Sequence, residues 1–138
     1  MFGIIIGTHG DLAASFAKAA QMITGEQKCI ETVSVYEGEG PLDAVKKYEA
    51  AIAKLNERGF SERIIFLNDL FGGSPYNAAC RLVAKNDHYA ILTGVNLPMV
   101  LELLNEEMNE GLSIRELVDK ARDIGEMGVQ VFYSAKSL

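Results

Sequence analysis

The chain has 138 residues, 49% of them hydrophobic, which suits one compact domain with a single core and is too short for two ordinary ones. A formal charge of -6 with no Lys/Arg cluster argues against nucleic acid or an anionic membrane surface as a partner and leaves a basic protein partner open. Cys29 and Cys80 lack disulfide or metal-ligand spacing, and no apolar window reaches the ~20 residues that span a bilayer, so a soluble, cytoplasmic protein with free buried thiols is expected.

Strand and helix signals alternate, the pattern of a mostly parallel sheet with helices on its faces. Residues 2–6 are a β-rich apolar run leading into Gly7-Thr8-His9-Gly10. Residues 11–24 follow as a helix with Leu12, Phe16, Ala19, Ala20 and Ile23 on one stripe and Gly25 as its stop. Residues 29–36 form the second strand. Pro41 opens the second helix, in which Val45, Tyr48, Ile52 and Leu55 keep helical spacing as far as Arg58-Gly59. Residues 63–68 make a third strand, buried on both faces, that runs into Asp69-Leu70-Phe71-Gly72-Gly73-Ser74-Pro75. Ser74 as N-cap and Pro75 at the first position start a third helix to about residue 85. Residues 89–93 are the fourth strand and 97–107 the fourth helix; Ser113 and Glu116 form a capping box for a fifth helix that Gly125 and Gly128 end. Residues 129–133 are a fifth strand, and their short connection favours an antiparallel place at a sheet edge. No repeat, low-complexity tract or linker divides the chain, so residues 1–138 are expected to form a single domain.

A three-layer α/β sheet of this size commonly takes the strand order 2-1-3-4, whose first and third strands are neighbours with connections leaving toward opposite faces. Their carboxyl ends form the switch point, so His9 after the first strand and Asp69 after the third are expected to meet there. A neutral histidine attacks phosphorus through one ring nitrogen, and a carboxylate on the other nitrogen fixes tautomer and orientation. Gly72 and Gly73 let backbone N–H groups approach a phosphoryl group; Ser74 adds a hydroxyl at a helix start that favours anions. Thr8 and Gly10 flank His9 and join the candidate phosphoryl-binding set. Neither segment contains Lys, Arg or a P-loop spacing, so a nucleotide triphosphate is poorly supported, and no metal or cofactor is expected. His88, beside Asp87 at a helix-to-strand connection, is explained by loop packing.

The segments Ile4-Ile5-Ile6-Gly7-Thr8-His9-Gly10, Leu67-Asn68-Asp69-Leu70-Phe71-Gly72-Gly73-Ser74-Pro75-Tyr76-Asn77-Ala78-Ala79 and Thr93-Gly94-Val95-Asn96-Leu97-Pro98-Met99 resemble the mannose-class enzyme IIA domains of the bacterial phosphoenolpyruvate-dependent sugar phosphotransferase system. The resemblance spans nearly the whole chain. It implies that His9 accepts a phosphoryl group from the phosphohistidine of HPr and passes it to a histidine of enzyme IIB, which serves the membrane IIC and IID components. Asp69 then orients His9, and Ser74 lies beside the phosphoryl group. It further implies a homodimer whose last strand, here residues 129–133, is exchanged between subunits, and an enzyme IIB on a separate chain or on a removed part of this one. Leu70-Phe71 stands where some relatives have a Thr-Trp pair, a change at the partner-facing rim. The phosphotransferase subunit of a dihydroxyacetone kinase is the alternative with a phosphorylated histidine, although its glycine loop differs. A receiver domain would use an aspartate after the third strand, as at Asp69, but needs an acidic pair after the first strand to hold Mg²⁺, which Gly7-Thr8-His9 does not supply, and a flavin or other ligand-binding α/β module is weakened by the absence of Trp.

Overall fold

In the computed structural model, which describes residues 1–137, the first strand β1 (Gly3–His9) is flanked by β2 (Ile30–Val35) and β3 (Ile64–Asn68), with β4 (Tyr89–Thr93) beyond β3. All pairs are parallel and the order is β2-β1-β3-β4, as expected from the sequence. The helices are α1 (Leu12–Thr24), α2 (Pro41–Glu57), α3 (Ser74–Val83), α4 (Leu97–Leu103), α5 (Glu106–Asn109) and α6 (Ile114–Met127).

Side chains alternate across the two central strands and so build two cores. Ile4 and Ile6 of β1 with Ile65 and Leu67 of β3 meet Ala13, Ala17 and Ala20 of α1, Met99 and Val100 of α4, and Leu117 and Ala121 of α6. Ile5, Ile64 and Phe66 point the other way, onto Ala44, Tyr48, Ala51 and Leu55 of α2 and Ala78 and Ala79 of α3. Each such Ile, Leu or Phe contributes about 1.5–3 kcal/mol over an exposed one, so the continuous apolar runs of β1 and β3 set them at the sheet's centre. The chain leaves β1 toward the α1 face and β3 toward the α3 face, which opens a crevice at their carboxyl ends where Gly7 lies beside Asn68.

Several local expectations are corrected. On α1 the small residues Ala13, Ala17 and Ala20 face the sheet and let the helix approach it, while Leu12 and Ile23 are exposed. On α2 the alanines Ala44 and Ala51 join Tyr48 and Leu55 in the core, leaving Val45 and Ile52 at its margin. The fourth helix breaks after Leu103 because Asn105 turns its side chain onto the N–H of Met108 at 3.3 Å and starts α5 instead. Ser113 caps α6 as expected, its hydroxyl accepting from Glu116 N–H at 3.1 Å. Gly125 does not end that helix: a Cβ there would lie 2.8 Å from Met99 Cε, so it is an interior glycine that lets α6 close onto α4. Residues 129–133 form no strand with this chain's own sheet, which among the described residues has four strands rather than the five expected. They run along the outside with Val129 78% and Phe132 92% exposed. Among the described residues no helix is long and apolar enough to cross a membrane.

Candidate functional site

His9 is the last residue of β1, and Asp69 immediately follows the last residue of β3. Asp69 Oδ2 accepts from the backbone N–H of His9 at 3.0 Å and lies 2.8 Å from its ring Nδ1. Asp69 Oδ1 accepts from Leu70 N–H at 2.9 Å. Partial burial works to raise the Asp69 pKa, but the ring and backbone hydrogen bonds from His9 outweigh it and hold the carboxyl below its ordinary value. An ionised carboxylate only accepts, so Nδ1 carries the proton toward Asp69, and in a neutral ring the lone pair is then on Nε2. The His9 side chain is 48% exposed, against 13% for Asp69, so the imidazole is open to solvent while the carboxylate beside it is largely covered.

The glycine segment closes the other side. Gly72 takes a left-handed conformation with φ of 83°, and its carbonyl accepts from Asn77 Nδ2 at 3.1 Å, which ties the loop back to α3. Gly73 lies against the imidazole: a Cβ there would sit 2.8 Å from His9 Cε1 and 3.4 Å from Nε2. Gly73 also holds the N-cap position of α3 that the sequence assigned to Ser74. Ser74 is instead the first helical residue, half-buried, with its hydroxyl unbonded among the described residues. Pro75 has no N–H and that of Asn77 goes to Gly73 O at 2.9 Å, so the first turn of α3 is a helix start with the Ser74 hydroxyl and few free N–H groups, of a kind that favours an anion.

Thr8 and Gly10, also expected in the phosphoryl-binding set, both have hydrogen bonds at the turn. Thr8 is fully buried, and its hydroxyl accepts from Ala13 N–H at 2.7 Å, doing for α1 the capping that Asp11 does not. Gly10 has φ of 57° and gives its N–H to Val35 O at 2.9 Å.

Sequence reasoning missed the residues beneath the site. Tyr48 is fully buried, stacks edge-on to Phe66 at 5.3 Å, and donates its hydroxyl to Pro75 O at 2.9 Å. Burial pushes its phenol far above the ordinary range, so it is a permanent neutral donor. Asn68 Nδ2 donates to Gly7 O and to Tyr48 Oη, each at 2.9 Å. The available signal was an asparagine closing the apolar run Ile64-Ile65-Phe66-Leu67, where a polar side chain needs buried partners.

Residues 3–122 match the family described as PTS system fructose IIA component, EIIA-man. The chain belongs to the mannose-class IIA family. It is 39% identical over 127 residues to the mannose-specific EIIAB component of Escherichia coli strain K12, covering 92% of this chain but 38% of that protein's length. It is 33% identical over 131 residues to the fructose-specific EIIA component of Bacillus subtilis strain 168, covering 95% of this chain and 86% of that one. A solved EIIA from Streptococcus agalactiae superposes with a TM-score of 0.81 at 27% identity over 96% of this chain and 98% of that one. The mannose/sorbose-specific IIA subunit from Enterococcus faecalis gives 0.78 at 26% identity, with 96% of each chain covered. These relatives do not favour the dihydroxyacetone-kinase alternative.

Proposed function

We propose that this chain is a cytoplasmic IIA phosphoryl carrier that takes its group from phospho-HPr on His9 Nε2 and hands it to a histidine of enzyme IIB. The observation that carries the reading is the divided imidazole: Nδ1 is committed to ionised Asp69 while Nε2 lies open beside Gly73 and the start of α3. The Nε2 lone pair attacks phosphorus, the bond to the donor nitrogen breaks with its electron pair returning to the donor ring, and the proton on Nδ1 stays where it is. Asp69 stabilises the cationic ring that results. Gly72, Gly73 and Ser74 line the place of the phosphoryl oxygens, whose charge the first turn of α3 offsets.

Any partner that reaches Nε2 must cover the adjoining rim. There Leu70 and Phe71 are exposed, Phe71 packs 4.8 Å from the Tyr76 ring, and the neighbouring loops present Asp11 and Glu37. An apolar patch among acidic groups suits a carrier with a basic rim and an apolar centre. The exposed arm at residues 129–133 supports a homodimer in which each arm adds antiparallel to the other subunit's sheet. The half-buried strand β4 offers an unpaired edge for it.

Intact-mass spectrometry after incubation with phosphoenolpyruvate, enzyme I and HPr tests the reading. One acid-labile phosphoryl group, absent from His9→Ala, is expected. A folded wild-type chain that stays unmodified beside an active carrier control overturns it.

A further inference from the structure

We infer that Tyr48, which touches neither His9 nor any partner, is a positioning residue for phosphoryl transfer, setting the start of α3 against the His9 ring through one directed chain of hydrogen bonds. The inference rests on the carrier reading above. The direction of the chain is forced. Gly7 O can only accept, so the Asn68 amide must present Nδ2 to it; the second Nδ2 hydrogen goes to Tyr48 Oη, which therefore donates onward to Pro75 O.

The residues that this chain of bonds joins to Tyr48 belong to the three segments that make the site. Gly7 is two residues before His9, Asn68 is the residue before Asp69, and Pro75 is two residues after Gly73. The chain thus spans all three at the level beneath the imidazole. Gly7 shows how closely it is fitted: a Cβ there would fall 2.0 Å from Tyr48 Oη. Asn68 Oδ1 is buried without a partner among the described residues, so an apolar pair of the same shape would relieve an unmet acceptor. Keeping the polar pair makes sense as geometric specification, because two bonds from Nδ2 and one from Oη fix directions that apolar packing leaves free. Gly73, in turn, leaves the ring no slack on the α3 side.

Rapid-quench measurement of transfer from phospho-HPr tests this with Tyr48→Phe, Asn68→Ala and, as a control for stability alone, Leu55→Ala. Leu55 lies in the same core but against Gly3, at the far end of β1. Tyr48→Phe is expected to lower the limiting transfer rate about tenfold or more, by analogy with the cost of small misplacements of reacting groups. Its half-saturation for HPr should not move, since Tyr48 is fully buried. Amide resonances of Gly73 and Ser74 should shift in Tyr48→Phe and Asn68→Ala and stay in place in Leu55→Ala, which melts earlier but transfers at the wild-type rate. A wild-type limiting rate in folded Tyr48→Phe, an equal slowing in Leu55→Ala, or failure of both hub variants to fold would each overturn the positioning role. A wild-type chain that accepts no phosphoryl group at all would instead remove the carrier reading on which it rests.

Discussion

Gly73→Ala separates the site from the fold more cleanly than removal of a reacting group. The backbone at Gly73 has φ of -76° and ψ of 172°, ordinary extended geometry that alanine adopts without strain. Losing the N-cap preference for glycine costs a few tenths to ~1 kcal/mol, and restricting the unfolded chain returns about 0.4–1 kcal/mol, so stability should change by less than ~1 kcal/mol. The ring next to it cannot be spared in the same way. The new Cβ would lie 2.8 Å from His9 Cε1 where ordinary contact begins at 3.4 Å, so the imidazole must withdraw by about 0.6 Å or rotate. Either motion strains the 2.8 Å Nδ1 to Oδ2 hydrogen bond and carries Nε2 off the line of attack. Misplacement on this scale predicts a loss of about 10- to 100-fold in the limiting transfer rate. Rapid-quench transfer from phospho-HPr gives the rate, and thermal melting followed by circular dichroism gives the stability. A variant that melts like the wild type and transfers at the wild-type rate would refute the claim that Gly73 sets the ring's place.

Asp69→Asn should keep the fold and slow transfer at least tenfold, because an amide neither fixes the tautomer uniquely nor stabilises a cationic ring. The native carboxyl sits below its ordinary 3.8, so its stabilisation is complete above that value and is lost as pH falls through the lower native one; the urea-midpoint gap between wild type and Asp69→Asn should close as acid is added below 3.8, and a gap constant with pH would contradict this. Phe71→Ala, at an exposed rim position, should raise the half-saturation for HPr by about tenfold while leaving the limiting rate alone, and a fall in the limiting rate with unchanged half-saturation would place Phe71 in the chemistry instead. Deleting residues 129–138 should turn a dimer into a monomer in analytical ultracentrifugation, and a wild-type chain already monomeric at the same concentration would end the strand-exchange reading.

The central architecture was legible because the apolar runs of β1 and β3 are unbroken and the segments between strands carry helical spacing, so order and switch point followed from topology rules. His9 and Asp69 were legible for the same reason: each ends a strand that had to lie at the centre. What the sequence hid was the use of small and polar side chains. Hydrophobicity ranks Leu12 and Ile23 above Ala13 and Ala17, yet closeness of approach put the alanines inside. Serine outranks glycine as a cap in any propensity scale, yet crowding by His9 placed Gly73 at that position and left the Ser74 hydroxyl free. Thr8 resembles a site residue by its neighbours alone, and only the fold reveals that its hydroxyl faces inward onto α1. Residues 129–133 have strand composition yet pair with no strand among the described residues, a fact that no local pattern carries.

On the proposed carrier reading, the site is weaker as an anion receptor than one built to retain phosphate, and that weakness suits the role. Neither segment around His9 supplies Lys or Arg, and the adjacent Asp69 is itself negative. A charge-assisted hydrogen bond from a guanidinium contributes about 1.5–3 kcal/mol, whereas a helix start contributes typically 0.3–1 kcal/mol and up to ~2 when partly buried. One bidentate arginine would therefore deepen the phosphorylated state by a few kcal/mol, enough to slow the onward step by roughly 10- to 100-fold if the transition state did not gain equally. The half-exposed imidazole, the glycine wall and the first turn of α3 instead provide orientation with little retention. On that reading the cost falls on geometry: with little charge to capture the group, rate would depend on how accurately His9, Asp69 and Gly73 are held. The polar hub of Tyr48 and Asn68 is placed where it can hold all three.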